Sequence, residues 1–382
     1  MILRVACLLS LVPATSLAAQ VSLPVTAWSD VMVRRGDTPD IRIPGFTVTS
    51  RGTLLVFAEA RVDHADPGEP GAIALVVSRS ADGGTTWSAP ATLARDPRFD
   101  FANPTPVVDR TTGAVWLAYD RFPDRCGSNR DCTTPGNDSL DVATHQTVWV
   151  RSSTDDGVTW GAAVLLPKPI VTADSIWWRS AAVGPGSGIQ LDRQREPSRN
   201  GRLVIPARRF GSPSATGRTV GGEPFTFFSD DHGATWHLGG VTRGAAANEP
   251  EVVELADGRL LMEGRQNDGP HRWRWWSSDG GATWSAPVAG DIGITPVDAS
   301  AIRLRDGRVA FTGPIGPGRT NLGLWLSRDG GRTFGVPYLL VRGFAGYSVV
   351  QQLPDGTLGV VYEAMPSTML RFVKVKIPRQ GD

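Results

Sequence analysis

Hydrophobic residues along this chain come in short bursts. Runs at 73–77, 147–150, 225–228, 273–276 and 322–326 each stop at a polar, glycine-bearing segment. Bursts of this length suit strands, whereas an amphipathic helix needs roughly 10 residues or more to bury a face. The pattern predicts many short β-strands joined by tight turns. The 44 glycines and 29 prolines are spread along the chain, which fits the same reading.

The polar segments are themselves a repeat. Ser80-Ala81-Asp82-Gly83-Gly84-Thr85-Thr86-Trp87 returns as Ser153, Asp155, Gly157, Thr159 and Trp160. It returns again at Ser229, Asp231, Gly233, Thr235 and Trp236, at Ser277, Asp279, Gly281, Thr283 and Trp284, and at Ser327, Asp329, Gly331, Thr333 and Phe334. Ser and Asp side chains can bond nearby backbone amides and hold a turn. Gly supplies a backbone conformation that other residues resist. The Thr and the aromatic are expected to open the next strand, with the ring packed between neighbouring sheets.

The first three boxes lie about 75 residues apart and the last three about 50. A four-stranded propeller blade takes roughly 40–50 residues, so the longer intervals must carry insertions. Segments 122–146 and 191–200, rich in Gly, Asn, Asp, Arg and Pro, are expected to be those insertions. Five boxes and one blade without a box, closed by strands from both ends with 370–377 as a closing strand, predict an all-β, six-bladed β-propeller of four-stranded antiparallel blades. The boxes are structural and carry no weight as catalytic residues.

The net charge of +1 argues against a broad nucleic-acid or membrane-surface footprint. The N-terminus has the features of a signal peptide: Arg4, an apolar stretch at 5–12, and small residues at Ser16-Leu17-Ala18-Ala19. The apolar stretch is too short to span a bilayer. Residues 1–19 are therefore expected to be a leader, with 20–382 a single propeller domain that is secreted or periplasmic. Cys7 would leave with the leader. Cys126 and Cys132 remain, six residues apart, and in an oxidising compartment a short structural disulfide between them is expected.

Five further segments stand between the boxes. The first is Asp40-Ile41-Arg42-Ile43-Pro44. The second is Leu-Leu-Val-Phe-Ala-Glu-Ala-Arg over 54–61, followed by a polar loop with Asp63, Asp66 and Glu69. The third runs from Asn248-Glu249-Pro250-Glu251 through Glu254 to Glu263-Gly264-Arg265. The fourth is Gly318-Arg319-Thr320-Asn321-Leu322, and the fifth is Gly346-Tyr347-Ser348 ahead of an Asp355-Gly356 turn.

In this order, interleaved with the boxes, they resemble the bacterial exo-α-sialidase (neuraminidase) family with Asp-box (BNR) repeats, over nearly all of the chain beyond the leader. The resemblance implies that Arg42, Arg265 and Arg319 grip the substrate carboxylate, that Arg61 also binds substrate, and that Tyr347 is the nucleophile with Glu249 as its partner. It implies Asp66 as acid/base, with Asp63 and Glu69 as rivals. Glu251 and Glu254 compete with Glu249, and in a regular strand Glu249 and Glu251 would share a face. Arg303 and Arg308 read as ordinary strand and turn residues, while Tyr119 and Tyr362 read as core.

The implied chemistry is coherent. Three guanidinium groups can hold a carboxylate, with bidentate geometry from at least one. A carboxylate on the anomeric carbon repels an Asp or Glu nucleophile, and sialidases with a tyrosine nucleophile depart from the two-carboxylate scheme of most glycosidases. No metal and no cofactor is implied. The expected partners are sialylated glycans, with no nucleic acid and no membrane span, and a monomer is expected. Ile41 and Ser187 depart from residues common in the family, which bears on sugar preference. The other readings are a glycosidase for a related ulosonic or nonulosonic acid, and a non-catalytic glycan-binding propeller.

Overall fold

The structure, a computed structural model, describes residues 21–379 apart from 37, 68–71, 124–145, 168–179, 211–221, 268, 270 and 367. Residues 1–19, expected to be a leader, lie outside the described residues together with Glu69, Cys126, Cys132 and most of the insertion expected at 122–146. The other expected insertion, 191–200, is a loop ending in a short 3-10 turn at Pro197–Arg199.

Six antiparallel sheets form the blades of a propeller. Blade 1 runs from its inner strand Asp40–Val48 through Leu54–Arg61 and Ile73–Ser80 to the outer strand Ala91–Ala94. Blades 2 to 6 begin with inner strands Phe99–Val108, Ser180–Val183, Asn248–Glu254, Ser300–Arg303 and Ser348–Gln352. Blade 3 has a split inner edge, in which both Ser180–Val183 and Ile189–Gln190 pair with Leu203–Phe210.

The ring closes in blade 6. There the outer strand is Val25–Val33, from the start of the described chain, laid antiparallel on Met369–Val375 from its end. The closing strand expected at 370–377 is thus the third strand of that blade. Among the described residues no helix is long and apolar enough to cross a membrane.

The apolar bursts read as they do because each blade is covered on both faces. Leu54–Arg61 is buried at every position but Ala60. Phe46 and Val56 of blade 1 share a cluster with Val349, Val361 and Phe372 of blade 6.

The boxes are the turns between third and outer strands of blades 1 to 5. Ser80 Oγ donates to Asp82 Oδ1 at 2.8 Å and accepts from Gly84 N, while Asp82 Oδ1 accepts from Thr86 N at 2.9 Å. The same bonds recur at Asp155, Asp231, Asp279 and Asp329. Gly84 has φ of +90°, and a Cβ there would lie 2.3 Å from the Phe372 ring of blade 6. The aromatics do pack between blades: Trp87 is edge-on to Phe372, and its Nε1 donates to Ser29 Oγ at 2.8 Å. The next strand starts directly after Trp236 in blade 3, but in the other four blades with boxes it starts four residues past the aromatic. In blade 1 that strand starts at Ala91, so the aromatic serves as a wedge between sheets.

Alternating strand direction puts the boxes on one face of the disc. The starts of the inner and third strands, and the ends of the second, share the opposite face, where all the implied site residues stand.

Candidate active site

The inner strands are distorted where they enter this face. Ile43, Asn103 and Glu249 have φ of 55°, 55° and 33°, each before a proline and each at a break in strand register. Positive φ is uncommon for non-glycine residues, and a bulge re-aims the side chains around it. The chain can crowd here because small residues face backbone: a Cβ on Gly45 would meet Pro104 O at 2.5 Å. Asn103 is not among the residues singled out from sequence; the X-Pro step shared by these breaks (Ile43-Pro44, Asn103-Pro104, Glu249-Pro250) is the signal that could have pointed to it.

Glu249 and Tyr347 meet across the channel mouth, from blade 4 and from the residue before the inner strand of blade 6. The Tyr347 hydroxyl donates to Glu249 Oε1 at 2.6 Å and accepts from Arg265 Nη1 at 2.8 Å. Arg265 also pairs with Glu249 Oε2. Both Tyr347 and Glu249 are buried, at 5% and 7% exposure. The bulge separates Glu249 from Glu251, which a regular strand would have kept on one face. Glu251 instead lies under Gly186, whose Cβ would come 2.2 Å from its Oε1. Glu254 is farther along the strand, accepting from Asp192 N and Arg193 N.

The other two arginines flank the same phenol. Arg42 and Arg319 place their guanidinium carbons 5.6 and 5.4 Å from the Tyr347 ring centroid. Arg42 is held by Glu363, which accepts from its Nε at 3.1 Å and from the backbone N–H groups of Ile43 and Tyr347. Glu363 has no counterpart among the residues singled out from sequence. Arg319 is half-buried and has no ion pair among the described residues. Arg303 pairs with Asp192 and Arg308 with Asp306, away from this cluster.

Asp66 stands apart from the phenol. Its carboxyl, 70% exposed, accepts from Arg61 Nη1 at 2.5 Å. Arg61 is fixed from below by Glu59, at 2.7 Å from its Nε. Glu59 Oε1 in turn accepts from Asn103 N, and Asn103 Nδ2 donates to Asp120 at 2.7 Å. This buried chain links blades 1 and 2. Asp63 is exposed on the same loop with φ of 50°.

Charge sorts these groups. Burial first, then the Glu249 carboxylate, pushes the Tyr347 phenol well above its ordinary range, against the pull of Arg265. Burial also pushes Glu249 up, but Arg265, Arg208 and the phenol's hydrogen bond outweigh it and leave the carboxyl below its usual value. At rest the proton therefore sits on Tyr347 and the charge on Glu249. Burial raises Asp120 to about 7 in spite of Arg208. Beneath the dyad, burial drives both Glu251 and Asp298 well above the carboxylate range, and Asp298 adds to the push on Glu251. Among the described residues no group of three or more His, Cys, Asp or Glu could hold a metal ion.

Residues 52–360 match the model of the BNR repeat-like domain. The chain is 32% identical to a sialidase of Micromonospora viridifaciens over 94% of its own length and 55% of that protein. It is 27% identical to a sialidase of Bacteroides fragilis over 88% of itself and 62% of that protein. Among solved structures, the Hadza microbial sialidase Hz136 superposes with a TM-score of 0.74 at 25% identity, covering 88% of this chain and 66% of that one. The chain thus spans little more than half the length of the first of these relatives. By its repeats, its blades and this match, the chain belongs to the bacterial sialidase family with BNR repeats.

Proposed function

We propose that the chain is a glycoside hydrolase, an exo-α-sialidase that removes terminal α-linked sialic acid from sialylated glycans with retention of configuration. The observation that carries the reading is the phenol of Tyr347, hydrogen-bonded to Glu249 and ringed by Arg42, Arg265 and Arg319. Three cations around one nucleophile suit a substrate whose reacting carbon bears a carboxylate.

In this reading the arginines bind the sugar carboxylate and set the anomeric carbon against the Tyr347 oxygen. Glu249 takes the phenolic proton as the carbon–oxygen bond forms. Asp66 protonates the departing glycosidic oxygen, then removes a proton from the water that cleaves the tyrosyl intermediate. Arg61 holds the Asp66 carboxyl and lines the sugar site. The leader-like sequence at 1–19 points to work outside the cytoplasm, secreted or periplasmic, with 20–382 as the propeller domain.

The experiment is release of a fluorophore from an aryl α-sialoside by wild type, Tyr347→Phe and Asp66→Ala. Turnover that collapses in Tyr347→Phe, and an Asp66→Ala variant that keeps more activity on the aryl substrate than on a natural glycan, is the expected result. A folded wild type that releases nothing would sink the sialidase reading. Activity on other keto-acid sugars would then reassign the substrate, and failure on those too would leave a glycan-binding propeller.

A further inference from the structure

The loop that carries Asp66 contains two consecutive non-glycine residues in the left-handed region, Asp63 and His64, with φ of 50° and 60°. Such a conformation costs about 1–3 kcal/mol per residue and persists only where surrounding contacts over-determine it. Two anchors do so. On one side Arg61 Nη1 donates to Ala65 O at 3.1 Å and to Asp66 Oδ1. On the other, His64 Nδ1 lies against Oδ2 of Asp40, a buried oxygen with no other partner among the described residues. The Asp40 side chain is 1% exposed, and its Oδ1 pairs with Arg34 Nη1 at 2.5 Å.

Asp40 and Arg61 are direct partners in the strand register, so both anchors rise from one rung of blade 1. Asp40 is also two residues from Arg42. The loop is thereby tied to the strand that sets the carboxylate clamp. Asp66 needs such support, because its exposed carboxyl has one side-chain partner among the described residues, and a general acid must stand within roughly 2.6–3.2 Å of the oxygen it protonates.

We infer that His64 is a positioning residue for Asp66, its contact with the buried Asp40 carboxylate fixing the turn that presents the acid to the leaving group. The inference rests on the proposed role of Asp66. His64 touches no substrate. It acts by holding the backbone of residues 63–65 in a conformation that they would not keep unaided.

The side-chain chemistry offers a sharp test. Gly at 64 accepts the positive φ without strain but has no group for Asp40. Asn also tolerates the left-handed region, and its Nδ2 can stand where the imidazole Nδ1 stands. Wild type, H64G, H64N and D66A are compared on an aryl α-sialoside and on sialyllactose, with melting curves for each.

H64G is expected to lose about tenfold or more in kcat/KM on sialyllactose, the scale of a misplaced catalytic group, with little loss on the aryl substrate, which needs little acid. H64N is expected to restore sialyllactose turnover. Should H64G fail to fold, H64S, too short to reach Asp40, carries the same expected split. Equal losses on the two substrates, no loss on either, or no rescue by H64N would overturn the inference. D66A separates the two failures. If D66A shows the split and H64G does not, the contact with Asp40 alone is refuted. If D66A shows no split, the role of Asp66 falls, and this inference with it.

Discussion

The Tyr347 hydroxyl donates to Glu249 at 2.6 Å while accepting from Arg265, which pairs with Glu249 as well. One guanidinium therefore serves both members of the dyad in opposite senses. It lowers the Glu249 carboxyl and weakens its basicity, and it stabilises phenolate on Tyr347. With the phenol raised and the carboxyl lowered, proton transfer before bond formation is uphill. In the proposed reaction it becomes favourable only as the phenolic oxygen bonds to the anomeric carbon, which would place the transfer in the transition state.

Glu249→Gln keeps the shape of the dyad but removes the proton acceptor. The loss should fall on kcat, by about 10²–10⁴-fold on an aryl α-sialoside, with KM little changed. Steady-state kinetics decides this. An unchanged kcat would mean that the phenol gives its proton elsewhere.

The three arginines should not respond alike. Arg319 has no ion pair among the described residues, so Arg319→Ala should cut kcat/KM by about 10–100-fold, or about 1.4–2.8 kcal/mol of binding, at an unchanged melting temperature. Arg42→Ala leaves the Glu363 carboxyl, 2% exposed, without its cation. Breaking a buried pair in this way costs about 3–5 kcal/mol, so this variant should lose thermal stability as well as substrate affinity. Melting curves beside the kinetics would expose any failure of this contrast.

The legible parts of this molecule are those that local chemistry determines. A Ser-x-Asp-x-Gly turn closes on itself within a few residues, so five copies could be read as five turns. Tyr347, Glu249, Arg42, Arg265 and Arg319 lie far apart in sequence, and their order along the chain marked them before closure of the ring brought them together. What stayed hidden depended on that closure or on irregular backbone. Glu363 meets Arg42 across 321 positions. The choice between Glu249 and Glu251 could not be made by strand alternation, because the bulge at Glu249 breaks it. The contact of His64 with Asp40 needs two left-handed residues that no periodicity announces.

The boxes lie on the face opposite the site, which separates stability from activity. Thr86 and its backbone N–H, with Ser80, hold the Asp82 carboxyl down at about 2 from an ordinary 3.8. A carboxyl lowered on folding adds stability above its unfolded value, and that stability is lost as pH falls from about 4 toward 2. Asp82→Ala should therefore melt at a lower temperature than wild type at pH 7, with the gap closing toward pH 2, while kcat/KM at neutral pH stays the same. A fall in activity without a fall in melting temperature would contradict a purely structural role.

Glu251 and Asp298 carry the opposite sign. Both are fully buried, and neither oxygen of the Glu251 carboxyl has a hydrogen-bond partner among the described residues. Burial, and for Glu251 the neighbouring Asp298, raises them well above the value near 4 that they would have unfolded. Between that value and the raised one the folded state binds more protons than the unfolded, so stability is full below about pH 4 and declines as pH rises. Glu251→Gln replaces the acid with a neutral group of the same shape and removes one share of this decline. The variant should match wild type near pH 4, where the carboxyl is protonated. At pH 8 it should be the more stable, each unit of pKa shift relieved being worth about 1.4 kcal/mol. Urea denaturation at the two pH values tests this. Parallel stability profiles for the two proteins would mean that Glu251 titrates alike in the folded and unfolded chain, its charge being met inside the propeller by a neighbouring group.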